Sequence, residues 1–221
     1  MDFTRYDQKL EFILRTAARI FAEKGYHTTS MRDIARETGV SLAGLYYYCK
    51  SKEELLFLIQ EHCFGRVAGR LAERLQETRE PVEKLRVFIE NHLSFFAANM
   101  AEMKVLSHEA DALTGSMYEQ VAATKQNYTQ LARGILLEVQ QQSAARQTVD
   151  ATVAAYALFG MMNWIYNWYD PRGKLDVNGL VENITRLFMS GFLGENTLDE
   201  TIFSAPSPAE PFNVWRAAPP S

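Results

Sequence analysis

Residues 28–56 read TTSMRDIARETGVSLAGLYYYCKSKEELL, and the punctuation of this stretch decides the fold. Three helix starts fall within it. Ser30 with Asp33 has capping-box spacing, Ser41 can cap a very short segment, and Ser51 with Glu54 repeats the box. Helices are predicted from near Ser30 to Gly39, from Ser41 to Tyr47 or Tyr48, and from Ser51 toward Gln76. Two short helices joined by three or four residues must cross closely if one is to enter a DNA groove. Ala35 is small where the second helix has to approach, and Gly39 can take positive φ in the turn. Ile34, Val40 and Leu45 are spaced to meet beneath the crossing. The outward residues of the short helix, Leu42, Ala43, Gly44, Tyr46 and Tyr47, carry no charge. Recognition there would use small groups near thymine methyls and tyrosine hydroxyls on phosphate. Thr29, Ser41 and the start of the helix opened by Ser51 offer further donors, and Lys52 adds a cation. Tyr48 is expected in the core.

Working outward, residues 8–24 carry Leu10, Ile13, Leu14, Ala17, Ile20 and Phe21 on one helical face, with Gly25 placed for a left-handed cap. Downstream, helices are expected from Pro81 to about Asn99, over roughly Glu102–Ala112, from Ser116 to Gln141, over Asp150–Tyr169 and over Val177–Leu193. Asp170-Pro-Arg-Gly173 is a turn with proline and glycine placed to stop a helix. No alternating strand pattern occurs, so the fold class is all-α. Five of the seven prolines lie in residues 206–220, a tail that reads as extended or disordered, although Phe212 and Trp215 are apolar enough to dock.

A formal net charge of −4 gives no overall basic signature, but residues 1–60 hold nine Lys/Arg against eight Asp/Glu, so the acidity sits later in the chain. Cys49 and Cys63 form no CxxC pair and read as buried free thiols in a reducing cytoplasm. The N-terminus lacks an apolar secretion segment. Residues 151–169 approach spanning length without a charge. Asn163, Asn167 and three tyrosines favour a helix buried by protein, so no membrane partner is expected. His108-Glu109 begins like HExxH, but position 112 is Ala. His27, His62 and His92 lack ligand-spaced partners, so neither a metal site nor catalytic residues are expected.

The first helix ending FAEKGYHTTSMRDIA, followed by GVSLAGLYYYCKSKEEL, resembles the tetracycline-repressor (TetR) family of bacterial regulators over residues 10–56. Carried over by position, the resemblance implies DNA contacts from Thr29, Ser41, Leu42, Ala43, Tyr46, Tyr47 and Lys52. Two positions depart from the family form: Ala43 replaces a usual glycine, and Cys49 stands where phenylalanine is general. The resemblance also implies a homodimer whose last two long helices pair with their mates, with a ligand cavity in the second domain. Gly160 and Gly191 would permit close helix approach there. The expected division is a DNA-binding domain over 1–50, a ligand-binding and dimerisation domain over 51–195 and a tail over 196–221.

The run Asn163-Trp-Ile-Tyr-Asn-Trp-Tyr-Asp-Pro-Arg-Gly173 resembles a TetR subgroup that includes regulators of fatty-acid, sterol and other acyl-CoA metabolism. This second resemblance implies a thioester effector with its acyl chain in an apolar tunnel. Phe88, Phe95, Phe96, Met103, Phe159, Met162 and Asn163 are the candidate ligand-binding residues, with Met100 and Met161 able to join them. Arg66, Arg70, Lys104, Lys125 and Arg133 are candidate partners for a nucleotide phosphate. The expected function is a repressor that binds double-stranded operator DNA as a homodimer and is released by an acyl-CoA, with no cofactor beyond that effector. Two alternatives stand beside it: the same reader sensing a hydrophobic drug-like or aromatic compound, and a helical interaction protein without DNA binding.

Overall fold

The computed structural model describes residues 5–142 and 149–193. Among the described residues the elements are nine α-helices and two short 3₁₀ turns. The helices are α1 (Arg5–Lys24), α2 (Met31–Thr38), α3 (Leu42–Tyr48), α4 (Lys52–Gln76), α5 (Pro81–Ala98), α6 (Met100–His108), α7 (Gly115–Gln142), α8 (Ala151–Asn163) and α9 (Val177–Leu193). The proline-rich tail, with Phe212 and Trp215, lies outside the described residues.

α1 buries Ile13, Leu14, Ala17, Ala18, Ile20 and Phe21, the stripe its periodicity predicts. It ends at Gly25, whose φ of 87° is open to glycine at little cost and whose N–H donates to the Phe21 carbonyl at 2.8 Å. α1 packs on α2, α4 and α6, so the small N-terminal unit touches the larger one directly through α6 as well as through α4. In the larger unit α5 is surrounded by α4, α7 and α9, which is why Leu85, Phe88, Ile89 and Leu93 are fully buried. Each such side chain contributes about 1.5–3 kcal/mol of transfer free energy. Cross-links at its surface include Arg74–Glu90 at 3.0 Å and Lys84–Glu138 at 2.6 Å.

Two expectations are corrected. The segment over 102–112 begins earlier, at Met100, and closes at His108 before a 3₁₀ turn over Ala110–Ala112. The continuous helix expected over 150–169 ends at Asn163 and tightens into a 3₁₀ turn over Trp164–Asn167. Residues 164–169 are bulky aromatics, isoleucine and asparagine, all poorer helix formers than the alanine-rich start of α8. Ile165 and Tyr169 are buried while Trp164 and Trp168 face outward. Asp150 caps α8 as its sequence suggests, accepting from the Thr152 and Val153 N–H groups at 2.8 and 3.0 Å. Among the described residues no helix is long and apolar enough to cross a membrane.

Candidate functional site

The first candidate surface is built on α2 and α3. Ser30 and Asp33 form a reciprocal box, with the Asp33 N–H donating to the Ser30 hydroxyl at 3.2 Å and the Ser30 N–H to the Asp33 carboxylate at 3.0 Å. Hydrogen bonds from Ser30, then from Arg36, hold the Asp33 carboxyl down at about 2. Gly39 closes α2 at φ 64°, Ile34 and Leu45 are fully buried, and Val40 packs against them. Gly44 has a steric role: a Cβ there would meet Val40 Cγ1 at 3.0 Å and Ser41 Oγ at 3.1 Å. Ser41 accepts from the Gly44 N–H at 3.0 Å, so its own hydroxyl proton remains free to be donated.

Ser41, Ala43, Tyr46 and Tyr47 are exposed along one side of α3, and Leu42 is half-buried beside them. Tyr48 turns inward and stacks on Tyr6 at 5.0 Å, while Tyr47 meets the same ring edge-on at 5.9 Å. Tyr6 escaped the sequence reading, although it begins the α1 stripe four residues before Leu10.

Two of the seven proposed DNA contacts have other work in this structure. Thr29 is buried, its hydroxyl donating to the Gly25 carbonyl at 2.8 Å and its N–H to the Tyr26 carbonyl at 3.2 Å. Its side chain braces the α1–α2 turn and has no surface to offer a phosphate. Lys52 Nζ donates to the carbonyls of Tyr26 at 2.8 Å, Thr29 at 2.9 Å and His27 at 3.4 Å, and lies 4.3 Å from the Tyr26 ring centre. Its three donors therefore tie α4 to that turn. The start of α4 is likewise partly satisfied within the chain. Ser51 accepts from the Glu54 N–H at 3.0 Å, and the Glu54 carboxylate accepts from the Lys50 N–H.

The second candidate site is a cavity of about 780 Å³ between α4, α5, α6, α7, α8 and the Trp164–Asn167 turn. Phe96, Met103, Phe159 and Asn163 line it, as the sequence reading proposes. Phe88, Phe95 and Met162 do not: Phe88 and Met162 are completely buried in the core, and Phe95 packs against it from outside. Phe95 is one residue out of phase with Phe96, whereas Phe88 lies on the same stripe as His92 and Phe96 but packs behind the wall, against His92, Tyr128 and Phe159. Of the five candidate cations only Lys125 reaches the wall. Arg66 pairs with Glu11 at 3.8 Å, Lys104 donates to the Ala22 carbonyl at 2.7 Å and Arg133 to the Thr152 hydroxyl at 3.2 Å, while Arg70 is exposed on α4.

Lys125 is a cation held in an apolar setting. Its ammonium donates to the Leu106 carbonyl at 3.2 Å and sits 5.9 Å from the Phe64 ring centre, and burial pushes its pKa down. Deeper in, His92 bridges two neighbours: its Nε2 lies 3.0 Å from Asn163 Oδ1 and its Nδ1 lies 3.4 Å from the Tyr128 hydroxyl. Burial lowers the His92 pKa to about 3, against a smaller opposing effect of the Asn163 hydrogen bond, and burial raises that of Tyr128. Both groups are neutral at pH 7. His92 and Tyr128 are functional candidates the sequence reading passed over. Their signal was a polar ring set within the apolar stripes Leu85–Phe88–His92–Phe96 and Val121–Tyr128–Ala132–Ile135.

α6 connects the two sites. Met103 and Leu106 line the cavity, while Lys104, on the opposite side of the same helix, grips the last turn of α1 through the Ala22 carbonyl. At the end of α6, the Glu109 carboxylate accepts from the Tyr26 N–H at 3.4 Å, within the turn that Lys52 also holds. His108 Nε2 lies 2.6 Å from the hydroxyl of Tyr166, another cavity residue.

Known proteins share this fold. The family described as "Bacterial regulatory proteins, tetR family" matches residues 13–59, and "Tetracyclin repressor-like, C-terminal domain" matches residues 78–192. The fatty acid metabolism regulator protein of Bacillus subtilis is 26% identical over 180 residues, covering 81% of this chain and 93% of its own. A crystal structure of AibR in complex with isovaleryl coenzyme A and operator DNA is 31% identical, with a TM-score of 0.73 over 81% of this chain and 97% of that one. The ketosteroid regulator KstR2 of Mycobacterium tuberculosis, at 20% identity and a TM-score of 0.77, shares the fold over 88% of this chain and 98% of its own. With the N-terminal unit matched by one model and more than half of its length matched by the tetracyclin repressor-like C-terminal domain, the chain belongs to the TetR family of DNA-binding transcriptional regulators.

Proposed function

We propose that this protein is a homodimeric repressor that leaves its operator when an acyl-CoA thioester enters the cavity. The observation that carries this reading is the cavity itself: a wall rich in aromatic side chains with Met103 and Leu106 among them, a half-buried lysine ammonium, and a lining helix that also grips the DNA reader. A volume of about 780 Å³ suits a small molecule with an apolar body. Lys125 supplies a charge partner for an anionic portion. The relative crystallised with isovaleryl coenzyme A and operator DNA supports the same class of effector.

The mechanism follows from the contacts of α6. Effector packed against Met103 and Leu106 favours one position of α6, and Lys104 and Glu109 convey that position to Ala22 and Tyr26. In a dimer the two α3 helices must meet successive major grooves. Effector releases DNA only by binding more tightly to the arrangement in which they do not. Exposed Val153, Tyr156, Trp164, Trp168 and Leu187 on α8, its 3₁₀ extension and α9 supply an apolar dimer face. Gly191 has open space around it within one chain, which leaves room for a partner helix, whereas Gly160 also borders the cavity.

A second reading has one observation in its favour. Lys125 is the one lysine or arginine on the described wall, whereas aromatic side chains are many, a balance suited to a hydrophobic aromatic effector. Fluorescence anisotropy of the protein–operator complex distinguishes the two. The proposal expects release by acyl-CoA and not by free CoA, and release by hydrophobic cations alone would replace it with the second reading.

A further inference from the structure

We propose that the Asn163 carboxamide is the carbonyl-recognising group of the cavity, its Nδ2 donating to the thioester C=O of the bound acyl-CoA while His92 and Tyr128 hold the amide in orientation. This rests on the acyl-thioester reading above and adds which atom of the ligand is read, and by what.

The arrangement starts from Tyr128. We assign the Tyr128 O–H, whose other side-chain neighbour is Asn91, to His92 Nδ1 at 3.4 Å, which places the ring proton on Nε2. That Nε2–H donates to Asn163 Oδ1 at 3.0 Å, so the amide oxygen is spoken for and the amide nitrogen points the other way. Among the described residues no acceptor pairs with Asn163 Nδ2, and Asn163 stands on the cavity wall, only partly buried. Two N–H donors are thus left on the cavity wall with no acceptor among the described residues.

The backbone adds a second observation. Asn163 is the last residue of α8, and the chain tightens into the 3₁₀ turn immediately after it. The turn is anchored by Ile165 and Tyr169, both buried, and by the Tyr166–His108 hydrogen bond to α6. The side chain that reads the ligand is therefore set at a junction fixed from both sides. An apolar wall alone cannot tell a thioester from a hydrocarbon of equal length, whereas a donor on the wall that ligand binding desolvates and the hydrocarbon leaves unpaired can.

Calorimetry with octanoyl-CoA and its thioether analogue S-octyl-CoA, in which a methylene replaces the carbonyl, tests this. The wild-type protein is expected to bind the thioester roughly tenfold more tightly. In Asn163→Leu the ratio of the two affinities falls toward one. Difference infrared spectra with a ¹³C-labelled thioester carbonyl give a readout that folding alone would not move. The carbonyl stretch shifts down on binding to wild type, less so in His92→Phe, and not at all in Asn163→Leu. Equal affinity of the wild type for the two analogues overturns the inference and leaves the acyl-CoA reading standing. A preference that survives Asn163→Leu also overturns it. Binding of neither analogue overturns both.

Discussion

Tyr46 and Lys52 stand close in sequence, yet the structure gives them different predicted phenotypes. Tyr46 is about half exposed on the outer side of α3, so Tyr46→Phe should weaken operator binding about three- to tenfold and leave the melting temperature unchanged. Lys52 is tied to three carbonyls of the α1–α2 turn, so Lys52→Ala should lower stability by about 1.5–3 kcal/mol as well as weaken DNA binding. Thermal unfolding and operator anisotropy on both variants check the contrast, and an unchanged melting temperature for Lys52→Ala would contradict it. His92 gives a pH signature. The unfolded chain protonates this ring below about 6.5, the folded protein only near 3. Between those values the unfolded state holds the extra proton, so stability falls as pH drops, by at most about 1.4 kcal/mol per unit. Urea midpoints at pH 7 and pH 5 should differ more for wild type than for His92→Gln. Burial lowers the His62 pKa in the same direction, but His62 is present in both proteins and cancels in the comparison.

At the scale of elements, α6 is the piece whose failure would be most informative. Lys104→Ala removes its hold on Ala22 without touching the cavity wall. Effector affinity of the free protein should stay the same, while the effector concentration needed to release DNA changes by a factor of about 2–30. Equal release curves for wild type and variant would remove Lys104 from the coupling. The elements themselves were unevenly legible. Capping boxes and glycine stops are local, so α2 and α3 could be read nearly to the residue from Ser30, Asp33, Gly39 and Ser41. The break at Asn163 was not, because it depends on where Ile165 and Tyr169 find burial and on the His92 ring across the cavity. The bracing role of Lys52 was hidden for the same reason: a lysine at a helix start is compatible with phosphate, and only the fold shows three carbonyls already around it. Phe88 and Met162 share an apolar periodicity with true wall residues such as Phe96 and Phe159, and periodicity cannot separate a cavity wall from the core behind it.

The whole molecule joins a reader and a sensor through α4 and α6, and the proposed regulation requires two copies. Exposed Val153 and Tyr156 on α8, Trp164 and Trp168 in and just after the following 3₁₀ turn, and Leu187 on α9 predict a stable dimer in sedimentation at micromolar concentration. Trp168→Glu together with Leu187→Glu should shift it toward monomer and abolish tight operator binding. A well-behaved wild-type monomer would defeat the dimer. The most direct test of the central claim is titration of the preformed protein–operator complex with a ladder of saturated acyl-CoAs, with free CoA and the free acids as controls. Each added methylene contributes about 0.8 kcal/mol until the cavity is full, roughly a fourfold gain in potency per carbon. The account predicts release that steepens with chain length and then reaches a plateau, with both controls inert. DNA that stays bound at every chain length, or that free CoA releases equally well, would contradict it.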